Sequence, residues 1–168
     1  MNESLKNTAK EKNFQYQVDM IKVEIDTING VVDRMDRITQ RIKNWAIVVW
    51  AGTIAVSLRE DLSQYIEYSA ILPILFWYVD ARVRQHQRAF IFRSQKIGDF
   101  LNSTNLANSF EQNSLIDFKV FDPAGKQYFG TSEQREFTSI FKTLRMKDIA
   151  VLYLGMSSIS IIAGLFLI

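Results

Sequence analysis

Three stretches of the chain are nearly free of charge, and they lie at residues 44–58, 62–79 and 149–168. The last of them, IAVLYLGMSSISIIAGLFLI, has no charged residue, and its length matches the roughly 20 residues that a helix needs to cross a bilayer core. The first two are shorter and are separated by Arg59, Glu60 and Asp61. We expect a transmembrane hairpin at 44–79 and a transmembrane helix at 149–168. The alternative for the shorter stretches is buried core, which is common at their length.

Aromatic residues stand near the ends of the hairpin, as they do at membrane interfaces. Trp45 begins the first stretch, Tyr65 and Tyr68 lie near one end of the second, and Trp77 and Tyr78 lie at its other end. This distribution favours the membrane interpretation of both shorter stretches.

The segment 1–43 has apolar residues at alternating spacings of four and three, which is typical of a coiled coil. They are Phe14, Val18, Ile21, Ile25, Ile28, Val32, Met35 and Ile42, with Thr39 at the one position of the pattern that is not apolar. The pattern predicts a cytosolic amphipathic helix that continues into the first span. Its stripe either contacts other copies of the chain through Ile21, Ile25, Ile28 and Val32, or packs on the chain's own cytosolic residues.

The segment 80–148 has the composition of a small α+β module. A helix over 80–100 is expected to continue from the second span, and residues 102–114 read as a loop. Ile116, Phe118 and Val120 alternate with charged residues, which predicts a strand; residues 126–129 would form a second one. Between them, DPAGK predicts a turn with positive φ at Gly125. Thr131 or Ser132 then caps a further helix, with Gln134 completing a capping box with Thr131.

Basic residues concentrate on one side of the predicted spans, which fixes their orientation by the positive-inside rule. They are Arg34, Arg37, Arg41 and Lys43 before the first span, Arg82, Arg84, Arg88, Arg93 and Lys96 after the second, and Lys142, Arg145 and Lys147 before the third. The hairpin loop has only Arg59. We therefore expect a cytoplasmic N-terminus and a periplasmic C-terminus.

Five residues after the second span are expected to anchor the protein at the membrane surface: Trp77, Tyr78, Arg82, Arg84 and Arg88. The arginines would lie near anionic headgroups, and Asp80 is expected to pair with Arg84 at i,i+4. A net charge of +2 gives no general attraction to nucleic acid, so lipids are the expected partner of this surface.

Residues that could carry chemistry are sparse. The chain has no cysteine and one histidine, His86, and it has no phosphate-binding loop, so we expect no enzyme activity, no metal and no cofactor. Glu67 is a candidate pore residue if it lies deep in the bilayer and a solvated one if it lies at the outer interface. In the third span, Ser157, Ser160 and Gly164 favour either packing within one subunit or contact between subunits, with a polar pore lining as a variant.

The stretches RMDRITQRIKNWAIVV and FWYVDARVRQHQRAFIFR resemble a class of small bacterial inner-membrane proteins. In that class an arginine-flanked first span precedes a second span that ends in an aromatic run and an Asp. The order of elements is similar over most of the chain, although Val83 and His86 stand where an aromatic residue and an acid are expected. The resemblance implies a multi-pass membrane protein without catalysis, similar to membrane effectors of anti-phage systems.

These patterns predict a mainly α membrane protein with three transmembrane helices, an N-terminal coiled-coil-like helix and a small cytosolic α+β insert. The predicted function is that of an oligomeric inner-membrane protein whose cytosolic module senses a protein or small signal and whose spans respond, as in a pore-forming antiviral effector. The alternative is a scaffold that recruits a soluble partner. A third hypothesis is a soluble helical protein with a core-forming C-terminus.

Overall fold

The computed structural model describes residues 3–167, except for the side chains of residues 3–5, 60, 61, 63–65 and 167. Tyr65 therefore lies outside the described side chains. The chain is mainly helical. The α-helices are α1 (Glu3–Ser57), α2 (Ile71–Leu101), α3 (Thr104–Gln112), α4 (Ser132–Phe137), α5 (Ile140–Leu144) and α6 (Lys147–Leu167), and 3-10 helices span Glu60–Ala70 and Lys126–Tyr128.

The residues group into two compact units. Unit 1 contains the described residues up to Asp33 together with Gln87–Phe137, and unit 2 contains Arg34–His86 together with the described residues from Thr138 onward. Helices α1 and α2 each contribute residues to both units.

The core of unit 1 is formed by one apolar stripe from each long helix. Ile21 and Ile28 of α1 are buried against Ile97 and Phe100 of α2. Phe14 extends the stripe of α1 by one heptad and meets the ring of Phe110 edge-on, with ring centroids 5.0 Å apart. The heptad pattern therefore forms the predicted continuous helix, and its stripe is buried within its own chain.

The predicted β-hairpin is wrong, because residues 3–167 contain no strand. Asp117 and Phe121 adopt positive φ values of 53° and 59°, which interrupt any extended segment. Phe118 and Val120 still pack against the core of unit 1, as their alternation indicated, but they do so from an irregular segment. The predicted turn is confirmed: the N–H of Gly125, at φ 64°, donates to the carbonyl of Asp122 over 2.8 Å.

The predicted loop at 102–114 is largely the helix α3. Leu106 and Phe110 lie four residues apart and give this short helix an apolar side; Leu106 packs on the core of unit 1. The helix ends at Asn113, which has the left-handed conformation that suits asparagine at this position. Two other predictions are confirmed: α2 continues through 80–100, and the hydroxyl of Thr131 accepts from the N–H of Gln134 at the start of α4.

The core of unit 2 is formed where α1, α2 and α6 meet. Its buried residues are Ala46, Ile149, Tyr153 and Met156, and Trp50, Phe76 and Trp77 pack against them. The 3-10 helix Glu60–Ala70 packs along α6. Pro73 is buried in the first turn of α2, where the missing N–H of proline costs no helical hydrogen bond.

One helix among the described residues, within Ser132–Phe166, is long and apolar enough to cross a membrane. Its best 18-residue window has a mean hydropathy of 2.1 and is only 33% buried, whereas a core helix of a soluble protein is mostly buried. The span predicted at 149–168 therefore lies in a helix that is long and apolar enough to cross a membrane. The two spans of the 44–79 hairpin remain a prediction.

Replacing Gly164 by valine is expected to destabilise unit 2 by about 1–3 kcal/mol, the usual cost of overpacking. A β-carbon at Gly164 would lie 3.0 Å from Cβ of Glu67 and 3.4 Å from its Cα, so the 3-10 helix would have to move. Thermal unfolding in detergent measures the effect. Gly155→Val is the matched control, because nothing lies within 4 Å of a β-carbon there. Equal melting temperatures for the two variants would contradict this account of the packing.

Candidate functional site

A buried ion pair lies at the centre of unit 1. Arg93 of α2 donates from Nε to Oε1 of Glu24 over 2.7 Å and from Nη2 to Oε2 over 3.1 Å. Both side chains are fully buried. Such two-pronged contacts are among the strongest hydrogen bonds in proteins, because both partners are charged and their geometries match.

The same two side chains hold the irregular segment between α3 and α4. The Glu24 carboxylate accepts the N–H of Phe121 at 2.7 Å and the N–H of Asp122 at 3.0 Å. Consecutive N–H groups beside a left-handed residue form a concave anion-binding arrangement, and here the anion is a side chain of the protein itself. Arg93 also donates to the carbonyl of Lys119 over 2.6 Å, and its guanidinium lies 4.6 Å from the ring centre of Phe118.

The charged form of the Arg93 guanidinium is favoured despite its burial. Burial alone lowers the pKa of Arg93, but the hydrogen bond and charge of Glu24 oppose that effect, and the net direction is upward. A buried pair that lost either partner would leave an uncompensated charge, so the two residues and the segment they hold form one structural unit.

Unit 2 has a polar centre made of hydroxyl groups. The hydroxyl of Ser160 on α6 accepts from the indole N–H of Trp50 over 2.8 Å and from the hydroxyl of Ser69 over the same distance. Ser157, one turn earlier, donates to the carbonyl of Ala70 over 3.0 Å. Hydroxyls that bridge helices in this way are typical of helix packing in membranes.

A second polar cluster in unit 2 surrounds Asp80. Its Oδ2 accepts the hydroxyl of Tyr153 over 3.2 Å, and the side chain is fully buried. Arg84 does not pair with Asp80 as predicted; its Nη2 lies 3.4 Å from Oδ2 of Asp148, at the start of α6. Lys43 of α1 donates to the carbonyl of that same Asp148 over 3.3 Å. The predicted i,i+4 pair is thus replaced by contacts between helices.

The predicted anchor residues divide into two groups. Arg82 and Tyr78 are exposed, and Arg82 donates from Nη1 to Oε1 of Gln85. Trp77 packs on the core of unit 2, and Arg84 is held by Asp148. Arg88 donates to the carbonyl of Phe137 over 2.6 Å and stacks on that residue's ring at 4.4 Å.

The residues predicted to contact other copies also pack, fully or in part, within their own chain. Ile21 and Ile28 are buried in unit 1, and Ile25 and Val32 pack partly against them. The three small residues of α6 are also occupied: Ser157 and Ser160 by hydrogen bonds, and Gly164 by its approach to Glu67. Packing inside one chain accounts for these contacts, and contact between copies stays a prediction. The candidate pore residue Glu67 is exposed, as is its neighbour Tyr68.

The sequence analysis missed Glu24 and the role of Arg93. A signal was present, because Glu24 lies between Ile21, Ile25 and Ile28 on the apolar side of α1. Arg93 occupies the same stripe of α2 as Ile97 and Phe100. A lone charge on each of two apolar stripes, with opposite signs, is the pattern of a buried ion pair.

Comparisons with protein-family models, with curated proteins and with solved structures found no match to this chain.

Glu24→Ala is expected to destabilise unit 1 by about 3–5 kcal/mol, because it leaves the Arg93 guanidinium buried without its counter-charge. The N–H groups of Phe121 and Asp122 lose their acceptor, so the segment should detach. Limited trypsin digestion of the full-length protein measures this as faster cleavage at Lys119 and Lys126.

The control is Glu133→Ala, which removes an exposed ion pair with Lys96 and is expected to cost under about 1 kcal/mol. Cleavage rates at Lys119 and Lys126 that match the unmodified protein in both variants would show that the buried pair does not hold the segment.

Proposed function

We propose that this protein is a bacterial inner-membrane protein in which unit 2 is a three-span bundle and unit 1 is a cytosolic module. In this proposal several copies assemble, unit 1 receives a protein or small-molecule cue, and the spans respond by making the membrane leak. The anti-phage effector role follows from the sequence resemblance alone. No catalytic step and no cofactor enter the proposal.

The observation that carries the membrane assignment is the apolar exterior of unit 2, which surrounds an interior of mixed polarity. Large apolar side chains point outward on all three of its long helices, while serine hydroxyls and Asp80 lie inside. Val48 of α1 is 61% exposed, Leu75 of α2 is 58% exposed and Leu165 of α6 is 74% exposed. Water-soluble proteins seldom expose apolar surface on several faces at once, and lipid would cover it without cost.

The end of the bundle where α6 begins fits a cytoplasmic membrane boundary. Lys43, Arg84 and Asp148 meet at the end where α6 begins, and charged groups of this kind belong at a bilayer boundary. An open cavity of about 250 Å³ on α1 is lined by Arg41 and Asn44 on its polar side and by Trp45 and Val48 on its apolar side. This order of residues matches a cytoplasmic interface, with the basic residue toward the cytosol.

The polar centre of unit 2 supports a leak as the response. The hydroxyls of Ser69, Ser157 and Ser160 are used between helices of one protomer. If the helices separate as copies assemble, these groups become available to line a path for water and ions. A bundle with a wholly apolar interior would offer no such lining.

The alternative function is a membrane scaffold that recruits a soluble protein. The exposed aromatic residues of unit 1 favour it, because side chains of this kind often anchor protein interfaces. Phe110, Phe121 and Phe129 are each at least half exposed.

Single-cysteine labelling tests the three spans, and the chain's lack of cysteine removes any background. A membrane-impermeant maleimide added to spheroplasts is expected to label Arg59→Cys, and to label Glu111→Cys only after the membrane is opened. Leu75→Cys and Leu154→Cys should react only in detergent, because lipid covers those exposed side chains. Labelling of Leu75→Cys in intact spheroplasts, or protection of Arg59→Cys, would contradict the hairpin.

Dye release from proteoliposomes distinguishes the membrane-leak function from the scaffold function. Release of an entrapped fluorophore is expected to rise steeply with the protein-to-lipid ratio if assembly opens a path. Ser160→Val should lower this release because it removes the central hydroxyl, whereas the exposed Ser158→Val serves as the matched control. Intact vesicles at every ratio would favour the scaffold.

A further inference from the structure

Asp80 occupies an unusual position for a carboxyl group. It is fully buried, its Oδ1 has no hydrogen-bond partner, and its Oδ2 has the single bond from Tyr153. Among the described residues, no Lys or Arg nitrogen lies within 4.0 Å of its oxygens. A carboxylate in such surroundings is poorly compensated, since a buried charge needs a partner or several hydrogen bonds.

The two cations that could compensate Asp80 are engaged elsewhere. Arg84 contacts the side chain of Asp148, and Lys43 contacts its carbonyl. The Nε of Arg84 is buried and has no partner, so the guanidinium is only partly satisfied where it is. Arg84 acts electrostatically on the carboxyl groups of both Asp80 and Asp148. In this structure it contacts Asp148.

A proton on Asp80 removes the unfavourable charge. Burial raises the pKa of the Asp80 carboxyl, and Asp148 adds to this shift. The charges of Lys43 and Arg84 and the hydrogen bond from Tyr153 act in the opposite direction, but burial is the larger effect. These are the titratable groups that face Asp80 from α1, α2 and α6.

We propose that Asp80 is a proton-binding site, and that deprotonated Asp80 competes with Asp148 for Arg84. With the proton bound, Arg84 ties α2 to the start of α6. When the proton passes to water, Arg84 turns to the carboxylate one helical turn before it, and the contact between α2 and Asp148 is lost. The proton thereby controls how the start of α6 is held.

This inference goes beyond the proposed leak. It requires only the packing of α1, α2 and α6 within unit 2, so vesicles that stay intact would leave it untouched. Its own test uses a spectroscopic measurement and no transport assay.

Infrared spectra of the full-length protein in lipid test the proton directly. A carboxylic C=O band that persists to higher pH than those of the exposed carboxyl groups is expected, because burial raises the pKa of Asp80, and Asp80→Asn should abolish it. Asp99→Asn is the control, because Asp99 is an exposed residue of unit 1 near Lys96. A spectrum without this band, or a band that survives in Asp80→Asn, would overturn the proton site.

The competition is tested by the pH midpoint of that band. Asp148→Asn frees Arg84 to pair with Asp80 and is expected to lower the midpoint by about 1 pH unit or more, the usual effect of a close opposite charge. In an Arg84→Gln background most of that shift should disappear, because the coupling passes through Arg84. An unchanged midpoint in Asp148→Asn, or an equal shift in both backgrounds, would overturn the competition while leaving the proton site to the first measurement.

Discussion

The ion pair between Glu24 and Arg93 is the interaction on which unit 1 depends. Its two helices contribute an apolar stripe each, but the segment between α3 and α4 has little regular hydrogen bonding of its own. The Glu24 carboxylate supplies acceptors for that segment, and Arg93 supplies a donor. Apolar residues at these two positions would fill the space but leave the N–H groups of Phe121 and Asp122 without an acceptor, which is costly in a protein interior.

Unit 2 differs in that its exterior is apolar and its interior has mixed polarity. Several hydroxyls and one carboxyl are buried beside its apolar core, and many other large apolar side chains are exposed. In water this arrangement would lose hydrophobic stabilisation, since the apolar surface stays hydrated. In lipid the same arrangement is favourable, because hydrogen bonds between helices then supply part of the cohesion. The environment, more than the number of contacts, decides whether such a bundle is stable.

The sequence predicted what depends on local periodicity and turn chemistry. The heptads before residue 43 indicated a continuous helix, and Gly125 indicated a turn that requires positive φ. The strand predicted from Ile116, Phe118 and Val120 is wrong because three alternating residues fit an irregular segment as well as a strand. The helix α3 was not predicted because the polar composition of residues 102–114 indicated a loop. The i,i+4 spacing of Leu106 and Phe110 was the only sign of a helix.

The candidate sites were less predictable than the helices, because each joins distant parts of the chain. Glu24 and Arg93 are 69 residues apart, and Tyr153 lies 73 residues from Asp80. Local spacing suggested Arg84 as the partner of Asp80, but a carboxylate on another helix binds that arginine. Only the arrangement of the helices in three dimensions shows whether Arg84 pairs with Asp80 or with Asp148.

The discontinuity of unit 1 sets an order of events during synthesis. Glu24 leaves the ribosome long before Arg93 and the segment 119–122 that complete its surroundings, and the apolar residues 44–79 are made in between. If those residues enter the bilayer as they emerge, α1 is already tethered at one end before its carboxylate finds a partner. Unit 1 would then close around a helix whose position the membrane has fixed, so errors in the insertion of residues 44–79 would appear as misfolding of unit 1.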